Sequence, residues 1–168
     1  MTIELYFLRH GLAGQYGDPN YKDDSLRPLT TEGRRKLRQA AQGMLALDLH
    51  FDGVLSSPFL RAKQTAQIVA QAYRIPKRNI HLTDNLLPPA TIKKLLAEIK
   101  RHDPKSQNIL LVGHEPHLTE LISSLLKSPP LAIDFKKGGL CLVRLEEEAV
   151  LQWLLTPTQL GMLAKEKR

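Results

Sequence analysis

Residues 1–11 read MTIELYFLRHG, and the way this stretch ends decides how the rest of the chain is read. Ile3, Leu5 and Phe7 alternate with Glu4 and Tyr6, the period-two pattern of a β-strand over residues 2–8. An arginine, a histidine and a glycine follow at once. A buried strand that runs out into Arg9, His10 and Gly11 carries an imidazole and a guanidinium to its carboxyl end. In open α/β sheets that is where ligands bind.

Two later stretches repeat the pattern. Residues 52–56, DGVLS, are a short strand that runs into SPFLRAKQT, with Ser57 at its end and Arg61 just beyond. Residues 108–113, NILLVG, are a continuous apolar run, the mark of a strand covered on both faces, and they run into His114. NIHL (79–82) is a further short strand, and GGLCLVRLEEEAVLQWLLTP holds two strands joined near 146–148.

Helical periodicity fills the spaces between. LTTEGRRKLRQAAQGMLAL starts with Thr30 or Thr31 as cap and turns Leu37, Ala40, Ala41, Met44 and Leu45 inward. SPFLRAKQTAQIVAQAY, ATIKKLLAEIKRH and HEPHLTELISSLLK each place apolar residues on one face, with Pro116 fit for a first helical turn. Strands alternating with helices predict a three-layer α/β/α domain with a mostly parallel central sheet. One domain over residues 1–157 is expected, followed by a polar tail over 158–168. The loop over 11–29, punctuated by Gly11, Gly14, Gly17, Pro19 and Pro28, is long for such a domain, and long loops are often functional.

Composition narrows the function classes. The 168 residues are 42% hydrophobic and 24% charged, ordinary for a soluble domain. No apolar stretch reaches the ~20 residues needed to span a bilayer. Glu4 interrupts the first apolar run, which lacks a basic leader, so it reads as a strand and not a signal peptide. With Cys141 the sole cysteine no internal disulfide forms, and a cytoplasmic setting is expected. The net charge of +7 suits an anionic partner. The basic residues are dispersed along helix faces and aromatics are only 5%, few for stacking on bases, so nucleic acid is not expected as a ligand.

If the three strand ends lie side by side, Arg9, His10, Arg61 and His114 meet in one pocket. That set suits a phosphoryl group. Arginine forks bind oxyanions bidentately, and a neutral imidazole attacks phosphorus. A protonated second histidine would stabilise the equatorial oxygens. Gly11 would let the backbone approach the ligand with its N–H free as a donor. The Arg9 cation is expected to lower the pKa of His10 and keep it nucleophilic. His117, a turn further on, reads as structural.

These residues carry a resemblance. LRHG (8–11), LTTEGRRKL (29–37), SSPFLRAKQTA (56–66) and VGHEP (112–116) resemble the histidine phosphatase superfamily over most of the chain. DSLRPLTTEG (24–33), LLPPA (86–90) and the ending GGLCLVRLE with QWLLTP resemble, more narrowly, its small SixA-type phosphohistidine phosphatases. The resemblance implies that His10 becomes phosphorylated, that Arg9, Arg61 and His114 hold the phosphoryl oxygens, and that Arg27 reaches the same pocket from the long loop. Ser57 and Gly11 join as phosphate-binding candidates. No metal or organic cofactor is implied.

One departure is informative. Larger members carry an acidic proton donor after the third strand; here the stretch is TDNLLPPA, with Leu86 and Leu87 where an acid would stand. Asp84 and Glu115 are the remaining candidates. Acid catalysis contributes ~10²–10⁴-fold when an alcohol departs. An imidazole takes up a proton near neutral pH without such help. The expected substrate is therefore a phosphohistidine on another protein, a phosphotransfer domain or a phosphocarrier, handled by a monomer with phosphate as product. A small phosphomonoester phosphatase and a non-catalytic phosphate-binding module are the alternatives.

Overall fold

Successive strand residues point to opposite faces of a sheet, and in this chain both faces are apolar. Strand β1 (Ile3–Arg9) sends Leu5 and Phe7 to one side and Tyr6 and Leu8 to the other, all four buried. This is seen in the computed structural model, which describes residues 2–102, 105 and 107–166. β4 (Asn108–Gly113) does the same, with Ile109 and Leu111 opposed to Leu110 and Val112.

The alternation creates two cores. On one face Leu5, Phe7, Ile109, Leu111 and Val143 pack under α3 (Ile92–His102) and α4 (His117–Leu125). On the other, Tyr6, Leu8, Leu110 and Val112 pack under α1 (Thr31–Ala46) and α2 (Leu60–Ala72). Of the apolar residues expected to face inward in α1, Leu37, Ala40, Ala41 and Met44 are covered, while Leu45 at the end of the helix is only half-buried. Thr30 is the cap, its hydroxyl accepting the Gly33 N–H at 2.9 Å; such a cap stabilises a helix by ~1 kcal/mol.

The remaining strands are β2 (Gly53–Ser56), β3 (Ile80–Leu82), β5 (Leu140–Leu145) and β6 (Ala149–Leu155). The sheet order is β3-β2-β4-β1-β5-β6. The first four strands run parallel; β5 and β6 form an antiparallel hairpin on the far side of β1. The expected mixed, mostly parallel α/β sheet is therefore present. Its order supplies what periodicity could not: β2, β4 and β1 are neighbours, with Arg9 opposite Gly113 and Ser56 opposite Val112.

The C-terminal segment differs from expectation. Pro157–Glu166 is a helix, α5, and not a fraying polar tail. It lies along α1, buries Leu160 completely and runs so close that a Cβ on Gly43 would sit 1.9 Å from the Leu160 carbonyl oxygen. One buried leucine and one glycine opposite it are too sparse a signal for periodicity. Among the described residues no helix is long and apolar enough to cross a membrane.

Candidate active site

His10 leaves β1 at the centre of the sheet. Its own N–H donates to the Gly113 carbonyl at 3.0 Å, and the Arg9 N–H donates to Gly139 at 3.1 Å, so the backbone is held from both sides. The ring Nδ1 lies 2.7 Å from the Gly11 carbonyl oxygen. A carbonyl can only accept, so Nδ1 carries the proton and the lone pair is on Nε2. Burial drives the His10 pKa down to about 2; the nearby His114, Arg61 and Arg9 push the same way, against the Gly11 hydrogen bond. The cation beside His10 acts in the expected direction, with burial the larger cause. The result is a neutral imidazole with one fixed tautomer.

Three buried N–H groups around this ring have no partner among the described residues: Arg9 Nε, Arg61 Nε and His114 Nδ1. Arg9 is oriented by one terminal nitrogen, which donates to the Phe135 carbonyl at 2.6 Å. The His114 ring is centred 5.1 Å from that of His10, and its Nε2 lies 2.7 Å from Ser57 Oγ. The Ser57 hydroxyl accepts the Phe59 N–H at 3.2 Å. Ser57 thus holds the ring through Nε2 and leaves Nδ1 without a partner among the described residues. Burial and the Arg61 charge bring the His114 pKa down to about 3. These effects favour the neutral ring over the protonated form considered from the sequence. An unsatisfied buried donor costs ~1–3 kcal/mol. Arg9, Arg61 and His114 all lie near enough to His10 to act on its charge, so an oxyanion beside that ring could satisfy these nitrogens.

Arg61 and Arg27 are joined by Asp24, a residue that sequence reasoning passed over. Asp24 sits in a short 3-10 turn, Asp24–Leu26, inside the long loop. Its carboxylate accepts from Arg61 at 2.9 Å and from Arg27 Nε at 2.9 Å, and its carbonyl oxygen accepts a second Arg61 nitrogen at 2.8 Å. Burial opposes ionisation, but these contacts hold the carboxyl below its usual range. Arg27 is thus linked to Arg61 through Asp24, and is tied also to the Gly14 carbonyl at 2.8 Å. The Asp24–Arg27 spacing of three was the available signal. Phe59 was also missed; its ring lies 5.2 Å from that of His114 and 5.1 Å from the Arg61 guanidinium carbon.

Other candidates take different places. The Gly11 N–H is not free for a ligand: it donates to Thr65 Oγ1 at 3.1 Å, and Thr65 in turn donates to the Arg61 carbonyl at 2.7 Å. Glycine is needed there because a Cβ would stand 2.5 Å from Leu37 Cδ1. Ser57 acts on His114. Glu115 caps α4, accepting from the Thr119 N–H at 3.1 Å and the Thr119 hydroxyl at 2.6 Å. Its charge still bears on Arg9. Asp84 is exposed on a 3-10 turn, Asp84–Leu86. The buried carboxylate of that region is Glu98 on α3, which accepts from Thr83 at 2.5 Å, Asn85 at 2.7 Å and His81 at 2.8 Å. Leu86 is fully buried in the core. His117 is buried in the first turn of α4 with neither ring nitrogen hydrogen-bonded among the described residues; Glu120 lies 3.6 Å from Nδ1. Among the described residues no group of three His, Cys, Asp or Glu side chains is arranged to hold a metal.

Known proteins share this sequence and shape. The model of the histidine phosphatase superfamily (branch 1) matches residues 5–86. An uncharacterized protein of Picosynechococcus sp. is 41% identical over 119 residues, 70% of each chain. Phosphohistidine phosphatase SixA of Escherichia coli is 27% identical over 165 residues, 95% of this chain and 98% of that one. The structure of the protein histidine phosphatase SixA complexed with tungstate superposes with a TM-score of 0.79 at 26% identity, over 94% of this chain and 99% of that one.

Proposed function

Because the chain belongs to the histidine phosphatase superfamily and is SixA-like in sequence and fold, we propose that it removes the phosphoryl group from phosphohistidine on another protein. The observation that carries this reading is the set of three unpartnered buried donors around a neutral histidine of fixed tautomer. In the first step the His10 Nε2 lone pair attacks phosphorus. The bond from phosphorus to the substrate imidazole breaks, its electron pair goes to that nitrogen, and the nitrogen takes a proton from water. Arg9, Arg61 and His114 Nδ1 donate to the phosphoryl oxygens, which carry more charge as the bonds change. In the second step water attacks the phosphorus on His10, phosphate leaves, and the neutral imidazole returns.

The choice of phosphohistidine over a phosphomonoester rests on the missing acid. Glu115 is committed to its helix cap, Asp84 is exposed, and Leu86 is packed in the core. Asp24 is the carboxylate nearest the arginines, and it is held ionised, unfit to donate a proton to an alkoxide. None of the proposed steps uses a metal. A cytoplasmic setting and a monomeric state belong to the same reading.

The test compares phosphate release from a phosphohistidine protein and from small phosphomonoesters, with His10→Ala as control. Turnover of the esters is expected to be slower by ~10²–10⁴-fold, the contribution of a general acid. His10→Ala is expected to lose turnover on both while remaining folded by circular dichroism. Ester turnover equal to or faster than that of phosphohistidine overturns the substrate assignment. Retained turnover in His10→Ala overturns the nucleophile, and binding of phosphate without turnover of either substrate leaves a phosphate-binding module.

A further inference from the structure

The +7 charge is not evenly expressed on the folded surface. The segment between α4 and β5 turns back against the end of β1: the Gly138 N–H donates to the carbonyls of Arg9 and His10, at 3.0 and 3.1 Å. Gly138 has φ +80, a left-handed conformation that a side chain disfavours, and this tight turn presents Lys136 and Lys137 beside the site. A cavity of about 490 Å³ opens there, adjoining the phosphoryl pocket through Arg9. Its charged lining is Arg9, Lys36, Lys136 and Lys137 against the single carboxylate of Asp134, and Thr158 adds a hydroxyl.

Internal pairing neutralises only part of this wall. Lys136 is paired with Asp134, and Lys36 with Glu32 at 3.7 Å. Lys137 and Arg9 have no ion-pair partner among the described residues. Burial and the fields of Arg9, Arg27 and Arg61 lower the pKa of Lys137. The wall therefore keeps a net positive charge that an anionic ligand would offset. Arg9, which neighbours His10 in the chain, is also part of the cavity wall, and the cavity is open to solvent and wide enough for a side chain carried on a protein.

We propose that the cavity formed by Lys36, Lys136, Lys137 and Arg9 is a docking subsite for acidic side chains flanking the phosphohistidine of the substrate protein. The inference rests on the phosphohistidine-protein reading and adds the feature by which such a protein is chosen. Carboxylates on the partner steer the encounter and fix the register of the histidine over His10.

Synthetic phosphohistidine peptides of one length serve as probes: one with aspartates flanking the phosphohistidine, one with asparagines, one with lysines. Phosphoramidate is the small-substrate control. The wild-type protein is expected to show a KM for the acidic peptide lower by about tenfold than for the neutral one, with the difference shrinking as salt is added. Lys36→Glu, on a helix that has no part in the phosphoryl pocket, is expected to reduce the preference while phosphoramidate turnover stays unchanged. Lys36→Glu combined with Lys137→Glu is expected to invert it in favour of the lysine peptide. Equal turnover of all three peptides by the wild type, or a preference untouched by the variants, overturns the docking inference and leaves the phosphohistidine reading standing. Loss of phosphoramidate turnover in Lys36→Glu also overturns it, since the lysine would then act on the phosphoryl group. A wild-type protein that hydrolyses phosphomonoesters or phosphoramidate but none of the peptides fails the underlying reading, and the docking inference with it.

Discussion

Asp24 occupies Arg27 and also Arg61, which the proposed mechanism offers to a phosphoryl group, so on that reading the two anions compete. Its carboxylate binds Arg61 and Arg27 in the geometry an oxyanion would use, and it keeps two long, cationic side chains ordered within a pocket that also holds Arg9. Removing its charge removes a competitor, so Asp24→Asn is expected to tighten binding of inorganic phosphate by about tenfold, measured by calorimetry at low salt. Unchanged or weaker binding would mean that positioning of the arginines outweighs the competition. The two site imidazoles give a second check. Both are held neutral, so the Cε1–H resonances of His10 and His114 are expected not to titrate between about pH 5 and 8. A midpoint near 6.5 for either would contradict the burial argument. Arg9, His10 and His114 were legible because they stand at or directly after a strand end, and Arg61 because it stands in the first turn of the helix that follows β2. Asp24 was not, because a carboxylate in a loop rich in glycine, proline and aspartate reads as a turn former, and its contact with Arg61 spans 37 positions.

Among the elements, α5 and the long loop illustrate opposite difficulties. The length of the loop marked it as a functional candidate, and in the structure its Asp24 and Arg27 join Arg61. Its internal order was not legible, because it depends on bonds such as Arg27 to the Gly14 carbonyl and on the bridge pairing Ala13 with Leu29. The helix α5 escaped notice because it needs little apolar surface: close approach to α1 at Gly43 substitutes for a broad hydrophobic stripe. Gly43→Ala is therefore expected to force the two helices apart. Overpacking of this kind costs ~1–3 kcal/mol. A lower urea midpoint with phosphate binding intact would bear this out, since neither helix supplies one of the unpartnered donors. A stable variant would show that α5 yields without cost.

The fold as a whole carries a pH signature. The unfolded chain protonates its imidazoles below about 6.5. The folded chain does not protonate His114 until about 3 or His10 until about 2. Over that window the unfolded state binds more protons, so the stability these two groups allow is whole above about 6.5 and is lost as pH falls toward 3. The urea midpoint is expected to decline between about pH 7 and 5, and to decline less steeply in His114→Gln. Parallel slopes would assign the decline to other groups. The sheet class and the two-faced cores were legible in the run of strands, since alternation and continuous apolar stretches are local properties. The order β2-β4-β1 was not, because strand neighbours are chosen by contacts between distant segments; it is this order that turns three separate strand ends into one pocket.

His10 directly follows the strand with a partner on each edge, and Arg27 is carried by the long loop, the least regular part of the chain. Amide exchange separates such regions by their local opening free energies. The N–H groups of Phe7 and Leu8 belong among the last to exchange, and those near Gly14 and Arg27 among the first. Slow exchange on the strand side together with fast exchange in the loop would show that the Arg27 side of the proposed phosphoryl site opens independently of His10, and equal protection in both would count against it.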